Sequence, residues 1–332
     1  MISPSDHELF RKLCDASEQF SLTTHIHPDG DALGSQLSLA SFLLSRGKQV
    51  RIVNTDPTTE VLRFIERDEL PVEVYDPGVH DDVLRAADLV VLVDNSAPDR
   101  LGEMERLMLS LAPKTLCIDH HPARSALWGH QVLDEDACAT TVMIYELGRE
   151  CGWSPDLEAA EALYVGLATD TGFFRFNSTN AQGHEVAAEL LRIGVSPARA
   201  YRETYERNSL PLTRLLGRAL ADVQTYEGGA VASVKITLQM ADEVQAGDVD
   251  TSEITTALLV MDGIRIALLF RELEGGRVKV SLRSKGNVDV HRLAGEFGGG
   301  GHRNASGIVL PGGIDDVIRT VIERVIELVK RS

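Results

Sequence analysis

Short apolar segments alternate with longer segments of helical periodicity over roughly the first 185 residues. Phe20–Thr24 is a short apolar run, and residues 32–46 then repeat apolar side chains at helical spacing until Gly47. This pair predicts a strand followed by a helix. Three further apolar runs predict strands at 49–53, 88–93 and 114–118. The order strand, helix, strand favours a Rossmann-like α/β fold, with a parallel sheet and right-handed crossovers.

The pattern changes after this region. Residues 182–223 have helical spacing, interrupted at Gly194-Val195-Ser196-Pro197. The remainder predicts a smaller α/β domain, with strands at 230–236, 264–271, 277–283 and 305–310, helices at 252–261 and 314–330, and a glycine-rich loop at 298–302. We therefore predict a first α/β domain at 1–185, a helical connector at 186–225 and a second domain at 226–332.

Four turns rich in aspartate and histidine follow segments that we predict as strands. They lie at 24–32, 93–96, 118–122 and 168–172. Parallel sheets bind their ligands at the carboxyl ends of the strands, so these turns could converge in space. The candidate metal ligands in them are His25, Asp29, Asp31, Asp94, His120 and Asp170.

This ligand set favours a pair of divalent ions. Imidazole and carboxylate without thiolate suit Mn²⁺, Mg²⁺, Co²⁺ or Fe²⁺ better than a structural zinc. Six ligands, four of them carboxylates, are too many for one catalytic ion that keeps open positions, whereas two ions that share a bridging carboxylate account for them. Such pairs activate water and clamp the oxygens of a phosphoryl group, so the predicted reaction is hydrolysis of a phosphoester.

Each of these residues alone has a more ordinary interpretation. A single aspartate at a strand end is most often a helix N-cap, Asp29-Gly30-Asp31 could be only a turn, and a lone histidine is seldom a ligand. Their joint occurrence at one edge of a predicted sheet favours the metal site. His27 lies between two proposed ligands, but the alternation of the chain could direct it away, so we leave it out of the ligand set.

A glycine-rich segment, 298–301, precedes His302 and Arg303. Consecutive glycines let the backbone approach a phosphate or a base, and their amides can bind an anion. Four glycines alone would indicate only a flexible turn. The basic residues nearby favour a substrate-binding site formed by Arg283, Ser284, Gly299, Gly300, Gly301, His302 and Arg303.

The charge balance restricts the partners. With a net charge of −17 over 332 residues, the chain lacks the rows of Lys and Arg that long duplex nucleic acid requires, while bound metal ions could neutralise a short anionic substrate. The four cysteines form no CxxC pair, the first residues do not resemble a signal peptide, and no apolar run reaches the ~20 residues that cross a bilayer. We expect a cytoplasmic protein without a membrane partner, either a monomer or a homodimer.

Together, the motifs resemble those of the DHH phosphoesterases. Residues 25–31 are similar to their first motif, Asp94 to the second, Asp119-His120-His121 to the signature third and Asp170 to the fourth. Residues 298–307 are similar to the glycine-histidine motif of the DHH-associated C-terminal domain. The overall length resembles the nanoRNase subgroup, which degrades very short oligoribonucleotides and often removes the 3′-phosphate of 3′-phosphoadenosine 5′-phosphate (pAp).

The resemblance implies a role for each motif. The implied ligands are His25 and Asp29 for one ion, Asp31, His120 and Asp170 for the other, and Asp94 for both, with Mn²⁺ favoured and Mg²⁺ or Co²⁺ as alternatives. His121 would contact the scissile phosphate or protonate the leaving oxygen, and Asp119 would orient the histidine pair. Arg283, His302, Arg303 and the glycine backbone would hold the substrate across a cleft between the two domains. His27 stands where relatives often carry Asn.

The resemblance therefore implies an enzyme that hydrolyses short oligoribonucleotides such as pApA, and pAp, with a two-metal-activated water. One alternative is an inorganic pyrophosphatase of the same superfamily, which would carry a different C-terminal domain. Another is an exonuclease for longer single strands, which would bring extra binding domains. From a different class, the chain could be a non-catalytic nucleotide-binding regulator, although its intact acidic turns count against that alternative.

Overall fold

The computed structural model describes residues 2–122, 127–247 and 251–331, which form two compact units, Met1–Arg207 and Asn208–Ser332. The helices of the first unit are α1 (Pro4–Ala16), α2 (Gly30–Ser45), α3 (Pro77–Ala86), α4 (Glu105–Leu111), α5 (Thr140–Glu150), α6 (Leu157–Asp170), α7 (Ala181–Ile193) and α8 (Pro197–Tyr205). Its strands are β1 (Gln19–Thr23), β2 (Gln49–Asn54), β3 (Val72–Val74), β4 (Leu89–Val93), β5 (Thr115–Asp119) and β6 (His130–Leu133).

The strands of the first unit form one parallel sheet in the order β3-β2-β1-β4-β5-β6. The chain runs outward from β1 to β3 and then returns to the other side of β1 with β4. Parallel α/β sheets commonly bind their ligands where the strand order reverses in this way, which here is at the carboxyl ends of β1 and β4. The predicted parallel α/β sheet is confirmed. We did not predict the edge strands β3 and β6, because strands of three and four residues are too short to show an apolar periodicity.

One predicted strand is wrong. We placed Asp170 after a strand, but it is the last residue of helix α6, whose residues are buried from Ala159 to Ala168 except Glu161. A helix that is buried almost all round shows no clear polar face, so its apolar run resembles that of a strand buried on both sides. Asp170 therefore reaches the site from a helix rather than from the sheet.

Helix α2 forms the centre of the first unit. Every residue from Gly30 to Leu43 is buried, and the helix packs against α5 and α6. The close approach to α6 depends on Gly34, because a Cβ added there would lie 2.4 Å from the carbonyl oxygen of Ala162. Side chains larger than hydrogen do not fit at that distance. The contact fixes the axial position of α2, and with it the position of Asp31 in its first turn.

The second unit is a mixed sheet with helices. Its strands are β7 (Gln224–Tyr226), β8 (Val231–Ile236), β9 (Ile266–Leu273), β10 (Arg277–Ser284), β11 (Gly300–His302) and β12 (Ala305–Pro311), in the order β11-β12-β10-β9-β8-β7. Its helices are α9 (Leu210–Ala221), α10 (Leu238–Glu243), α11 (Ser252–Leu259), α12 (Val290–Glu296) and α13 (Ile314–Arg331). Only β8 and β9 pair in parallel among the described strands of this sheet. The predicted glycine-rich loop is wrong in part, since residues 300–302 form β11.

The helices of the predicted connector are divided between the units. Helices α7 and α8 belong to the first unit and α9 to the second. The boundaries that we assigned at 185 and 225 stay a prediction. Over the described ranges, no helix combines the length and the apolar character that crossing a membrane would require.

The glycine at position 34 gives a direct test of the helix packing. Gly34→Ala should destabilise the first unit by about 1–3 kcal/mol, because the added methyl group forces α2 away from α6. Both tryptophans of the chain, Trp128 and Trp153, lie in the first unit, so tryptophan fluorescence during urea denaturation reports on that unit. Leu44→Ala, on an exposed position of the same helix, is the control and should cost less than about 0.5 kcal/mol. Equal effects of the two changes would contradict the packing argument.

Candidate metal centre

Five segments bring the predicted ligands together at one edge of the parallel sheet. His25 follows β1, Asp94 follows β4, and Asp119 ends β5, directly before His120 and His121. Strands β1, β4 and β5 are neighbours, so their carboxyl ends are adjacent. Helix α2 begins beside β1 and supplies Asp29 as its N-cap and Asp31 in its first turn. The C-terminus of α6 supplies Asp170.

The ligand atoms form overlapping groups around Asp94. The groups His25–Asp29–Asp94, Asp31–His120–Asp170 and Asp94–His120–His121 each have one ligand atom per residue within 4.8 Å of the others. Asp94 faces both histidines: its Oδ2 lies 3.4 Å from Nε2 of His25, and its Oδ1 lies 3.6 Å from Nε2 of His120. Ligands about 2.1 Å from a common ion are about 3–4 Å apart, so both spacings suit a shared cation.

The histidine tautomers support this interpretation. Nδ1 of His25 lies 2.7 Å from the carbonyl oxygen of Ile26, and Nδ1 of His120 lies 3.0 Å from that of Ala137. A carbonyl oxygen can only accept, so each Nδ1 donates and each Nε2 faces the carboxylates. Both Nε2 atoms are buried without a hydrogen-bond partner among the described residues. Buried nitrogens with this orientation are typical of metal ligands, so the residues fit a divalent ion.

The protonation of the two histidines differs. Burial lowers the pKa of His25, and the attraction of Asp29 offsets this only in part. Burial also disfavours the charged form of His120, but the charges of Asp31, Asp94 and Asp170 outweigh burial and raise its pKa to about 9. In the metal-free protein, a proton on His120 therefore supplies positive charge to the centre of the carboxylates.

The carboxylates repel one another. Burial, followed by repulsion from Asp31 and Asp29, raises the pKa of Asp94 well above its usual range. Burial and the charge of Asp31 likewise raise the pKa of Asp170 to about 7. The backbone of Asp94 is left-handed, with a φ of 57°, a conformation that non-glycine residues adopt rarely. Strain and mutual repulsion at one position are typical of functional sites.

Asp119 and His121 form a hydrogen-bonded pair beside this centre. Asp119 is fully buried, and its Oδ1 lies 2.8 Å from Nδ1 of His121 and accepts a second bond from the His121 backbone amide. Burial would raise the pKa of Asp119, but the hydrogen bond and charge of His121 lower it. Burial would lower the pKa of His121, yet Asp119 and Asp94 raise it. The imidazole of His121 is 38% exposed, so a substrate can reach it.

Asp29 combines its ordinary and its functional interpretation. Its Oδ1 caps α2 by accepting from the amides of Asp31 and Ala32, while its Oδ2 lies 3.8 Å from Nε2 of His25. His27 points away from the centre, since its side chain is 86% exposed and its Nδ1 lies 3.2 Å from Asp56. The structure thus brings the six candidate ligands together and leaves His27 out. Their assignment as ligands stays a prediction.

Comparison with known proteins gives the same division of the chain. The N-terminal domain of the DHH family matches residues 19–167, and the DHHA1 domain matches residues 231–331. The bifunctional oligoribonuclease and PAP phosphatase NrnA of Thermus thermophilus is 32% identical over 315 residues, which cover 94% of this chain and 90% of the relative. The chain belongs to the DHH family of phosphoesterases. The resemblance stated from the motifs is confirmed.

Two further relatives extend over most of this DHH phosphoesterase. The bifunctional oligoribonuclease and PAP phosphatase NrnA of Bacillus subtilis is 31% identical, over 86% of this chain and 87% of the relative. A crystal structure of an exopolyphosphatase-related protein from Bacteroides fragilis superposes with a TM-score of 0.92 at 27% identity, over 98% of this chain and 97% of that protein. The similarity therefore includes both units.

The sequence interpretation missed two threonines that support the carboxylates. Asp31 accepts from the backbone amides of Thr140 and Thr141 at 2.6 and 2.9 Å, and from the Thr141 hydroxyl at 2.7 Å. The Thr140 hydroxyl donates to Oδ1 of Asp94 at 3.0 Å. Both residues begin helix α5, whose amide groups and dipole favour negative charge at this end. The sequence does show two threonines where a helix begins. It does not show that they contact Asp31, because the two segments are about 110 residues apart in the sequence.

The predicted substrate residues of the second unit lie around β10, β11 and β12. Arg283 of β10 and His302 of β11 both pair with Ala305 of β12, which places their backbones about 10 Å apart on one sheet. A Cβ on Gly301 would lie 2.4 Å from the carbonyl oxygen of Ala305, so strand packing alone requires a glycine there.

Two of the other predicted substrate residues already make hydrogen bonds within the second unit. The hydroxyl of Ser284 donates to the carbonyl oxygen of Val288 at 2.7 Å and accepts from Asn304 at 2.8 Å, and Arg303 donates to the carbonyl oxygen of Asn287 at 3.2 Å. The side chain of His302 lies outside the described part of the structure. Substrate binding by this group of residues stays a prediction.

The hydroxyl of Thr141 should be required for tight metal binding. Thr141→Val keeps the shape of the side chain but removes one of three donors to Asp31, so the affinity for Mn²⁺ should fall about 10–100-fold. Isothermal titration calorimetry on the metal-free protein measures this change. Thr141→Ser retains the donor and should stay within about 3-fold of the wild type. An equal loss in both variants would assign the effect to packing instead of the hydrogen bond.

Metal binding should release protons. In the metal-free protein, His120 (pKa about 9) holds a proton at neutral pH and Asp170 (pKa about 7) holds a partial one, whereas metal ligands must be deprotonated. Higher pH removes the competing protons, so the affinity for Mn²⁺ should rise between about pH 6.5 and 8.5, by up to about tenfold per pH unit for each proton released. Anaerobic calorimetry at several pH values measures the slope. His120→Asn should show a shallower slope; an unchanged slope would show that metal binding releases no proton from His120.

Proposed function

We propose that this chain hydrolyses phosphoester bonds in short oligoribonucleotides such as pApA, and removes the 3′-phosphate of pAp. The two NrnA relatives carry both activities in their names and align over most of their lengths with this chain. The match of the DHHA1 domain to residues 231–331 counts against an inorganic pyrophosphatase, which would carry a different C-terminal domain. The intact acidic centre counts against a non-catalytic regulator.

The observation that carries the proposal is the position of Asp94 between the buried Nε2 atoms of two histidines. One carboxylate oxygen faces Nε2 of His25 and the other faces Nε2 of His120, at 3.4 and 3.6 Å. Neither nitrogen has a hydrogen-bond partner among the described residues. A carboxylate with both oxygens directed at separate ligand groups supports a bridging role between two ions.

The proposed ligands divide into two groups that share Asp94. His25 and Asp29 would hold one ion, and Asp31, His120 and Asp170 would hold the other; the histidine and carboxylate donors favour Mn²⁺. When bound, such a pair lowers the pKa of a water molecule and offsets the charge of the phosphate. The threonines at the start of α5 hold Asp31 and Asp94 in position for this binding.

Asp119 and His121 supply the proton transfer in this proposal. The hydrogen bond from Nδ1 of His121 to Asp119 fixes the ring, so that Nε2 is the nitrogen available to the substrate. The partly exposed imidazole can donate a proton to the leaving oxygen, and the buried Asp119 carboxylate stabilises the imidazolium before the transfer. In the second unit, Arg283, Ser284, the glycines 299–301, His302 and Arg303 would bind the substrate.

Asp94→Asn tests the function and the role of the carboxylate together. The amide has the same shape but no charge, so turnover of pAp and pApA with Mn²⁺ should fall by more than about 100-fold, beyond the loss expected for a residue that only supports a ligand. The melting temperature in chelator should not fall, because the change removes a repelling carboxylate.

The assay should compare pAp, pApA, a 5-mer, a 24-mer and pyrophosphate. The proposed function predicts turnover of the first three and little of the last two. Asp99→Asn, an exposed carboxylate five residues after Asp94, is the matched control and should keep wild-type turnover. Near-normal activity of Asp94→Asn would refute the two-metal assignment, and a preference for pyrophosphate would refute the substrate class.

A further inference from the structure

An aromatic turn follows the candidate ligand Asp170 directly. Residues 171–176 leave helix α6, and the ring of Phe173 packs edge-on against Tyr201 and Tyr205, with centroid distances of 5.0 and 5.2 Å. The ring of Phe174 stacks on His184 at 4.9 Å. These contacts anchor the turn to helices α7 and α8, so its shape is determined by packing.

The backbone of this turn is strained. Phe173 and Phe174 have φ angles of 54° and 63°, and bulky side chains rarely adopt the left-handed conformation. The turn is held in place by hydrogen bonds from the Phe173 amide to the carbonyl oxygen of Ala168 (2.6 Å) and from the Phe174 amide to the Thr171 hydroxyl (3.2 Å). Two consecutive strained residues persist only where the surrounding structure requires them, and such positions concentrate at functional sites.

The strained turn presents Phe176 to solvent. Phe176 is 54% exposed, and among the described phenylalanines, tyrosines and tryptophans only Tyr201, at 45%, is also exposed. The amide of Phe176 donates to the carbonyl oxygen of Thr171 at 3.0 Å, and its ring covers Gly172 so closely that an added Cβ there would lie 2.5 Å from ring atoms. The ring is therefore held against Gly172, two residues after Asp170.

Polar residues and one arginine flank Phe176 in the sequence and are exposed. Nε of Arg175 donates to the carbonyl oxygen of Gly172 at 2.8 Å, which restrains the guanidinium group at its Nε atom. Within the described ranges, no carboxylate forms an ion pair with Arg175. Asn177 and Ser178 follow and are exposed. A single exposed ring among polar residues does not form the continuous apolar patch of a protein interface. An exposed aromatic ring next to an exposed arginine in the sequence instead offers the two groups that bind a base and its phosphate.

We propose that Phe176 is a stacking platform for a nucleobase of the substrate, beside the metal centre, with Arg175 contributing charge for the attached phosphate. This inference rests on the proposed function, since it adds the base to the recognition of the reacting phosphate. It places part of the substrate specificity in the first unit, on a residue that neither the motifs nor the ligand groups include.

The test compares a probe that has a base with one that has none. The probes are AMP and inorganic phosphate, titrated calorimetrically into the Mn²⁺-loaded protein. Phe176→Leu should weaken AMP binding about 5–100-fold, the range expected for loss of one base–aromatic stack, and leave phosphate binding within about 2-fold. Phe176→Tyr keeps the ring and should stay near the wild type. Phe64→Leu, the same change at a half-buried phenylalanine of the first unit, is the matched control and should not alter AMP binding.

Kinetics with pAp give a second readout. Phe176→Leu should raise KM and leave kcat nearly unchanged, because stacking acts on binding and not on the reacting phosphate. The increase in KM should be larger for pApA than for pUpU, since purines stack more strongly on an aromatic ring than pyrimidines.

Several results would overturn the proposal. If Phe176→Leu weakened the binding of AMP and of phosphate equally, the turn would only support the position of Asp170. If the variant bound AMP as tightly as the wild type, or if the wild type bound no AMP, Phe176 would not be a stacking platform. A change of oligomeric state in sedimentation with unaltered AMP binding would assign the ring to a contact between copies. The proposed function fails separately: a wild type that hydrolyses no nucleotide, yet binds AMP through Phe176, would refute the activity and retain the base site.

Discussion

The burial of several carboxylates beside one another is the constraint on which the first unit depends. Asp31 and Asp94 are each 1% exposed, and Asp170 is half-buried. Loss of water around Asp94 and Asp170 and the like charges beside them raise the pKa values of both. Water cannot screen this repulsion inside the protein. Positive charge must enter the centre, either as protons on His120 and on the carboxylates with raised pKa values or as metal ions. The repulsion among the carboxylates therefore favours the binding of cations even when no substrate is present.

Rigid elements hold the like charges in place. Three neighbouring strands end at the centre, and helix α2, buried from Gly30 to Leu43, is held against α6 by the close approach at Gly34. The start of α5 donates three hydrogen bonds to Asp31 and one to Asp94. These donors partly compensate the buried negative charge and fix the direction of the carboxylate oxygens. Support of this kind is what distinguishes a ligand set from a chance cluster of acids.

Several residues combine an observed structural role with a proposed functional one. Asp29 caps a helix with one oxygen and faces His25 with the other, and the glycine at 301 is required by strand packing whether or not it also approaches a substrate. A structural interpretation of a residue, such as helix capping, therefore does not exclude a functional one, such as metal binding. In this protein, the same side chains would serve local structure and site chemistry, because the candidate ligands lie at the ends of strands and helices, where capping groups are needed as well.

The sequence by itself determined the parallel α/β sheet, most of its central strands and the six candidate ligands, because apolar periodicity and the motif spacing are local properties of the chain. It did not determine that Asp170 ends a helix, since a segment buried all round loses the polar face that identifies a helix. Nor did it find the support from Thr140 and Thr141, or the strained turn that exposes Phe176. Those features depend on contacts between distant segments and on backbone angles, which only the tertiary structure decides.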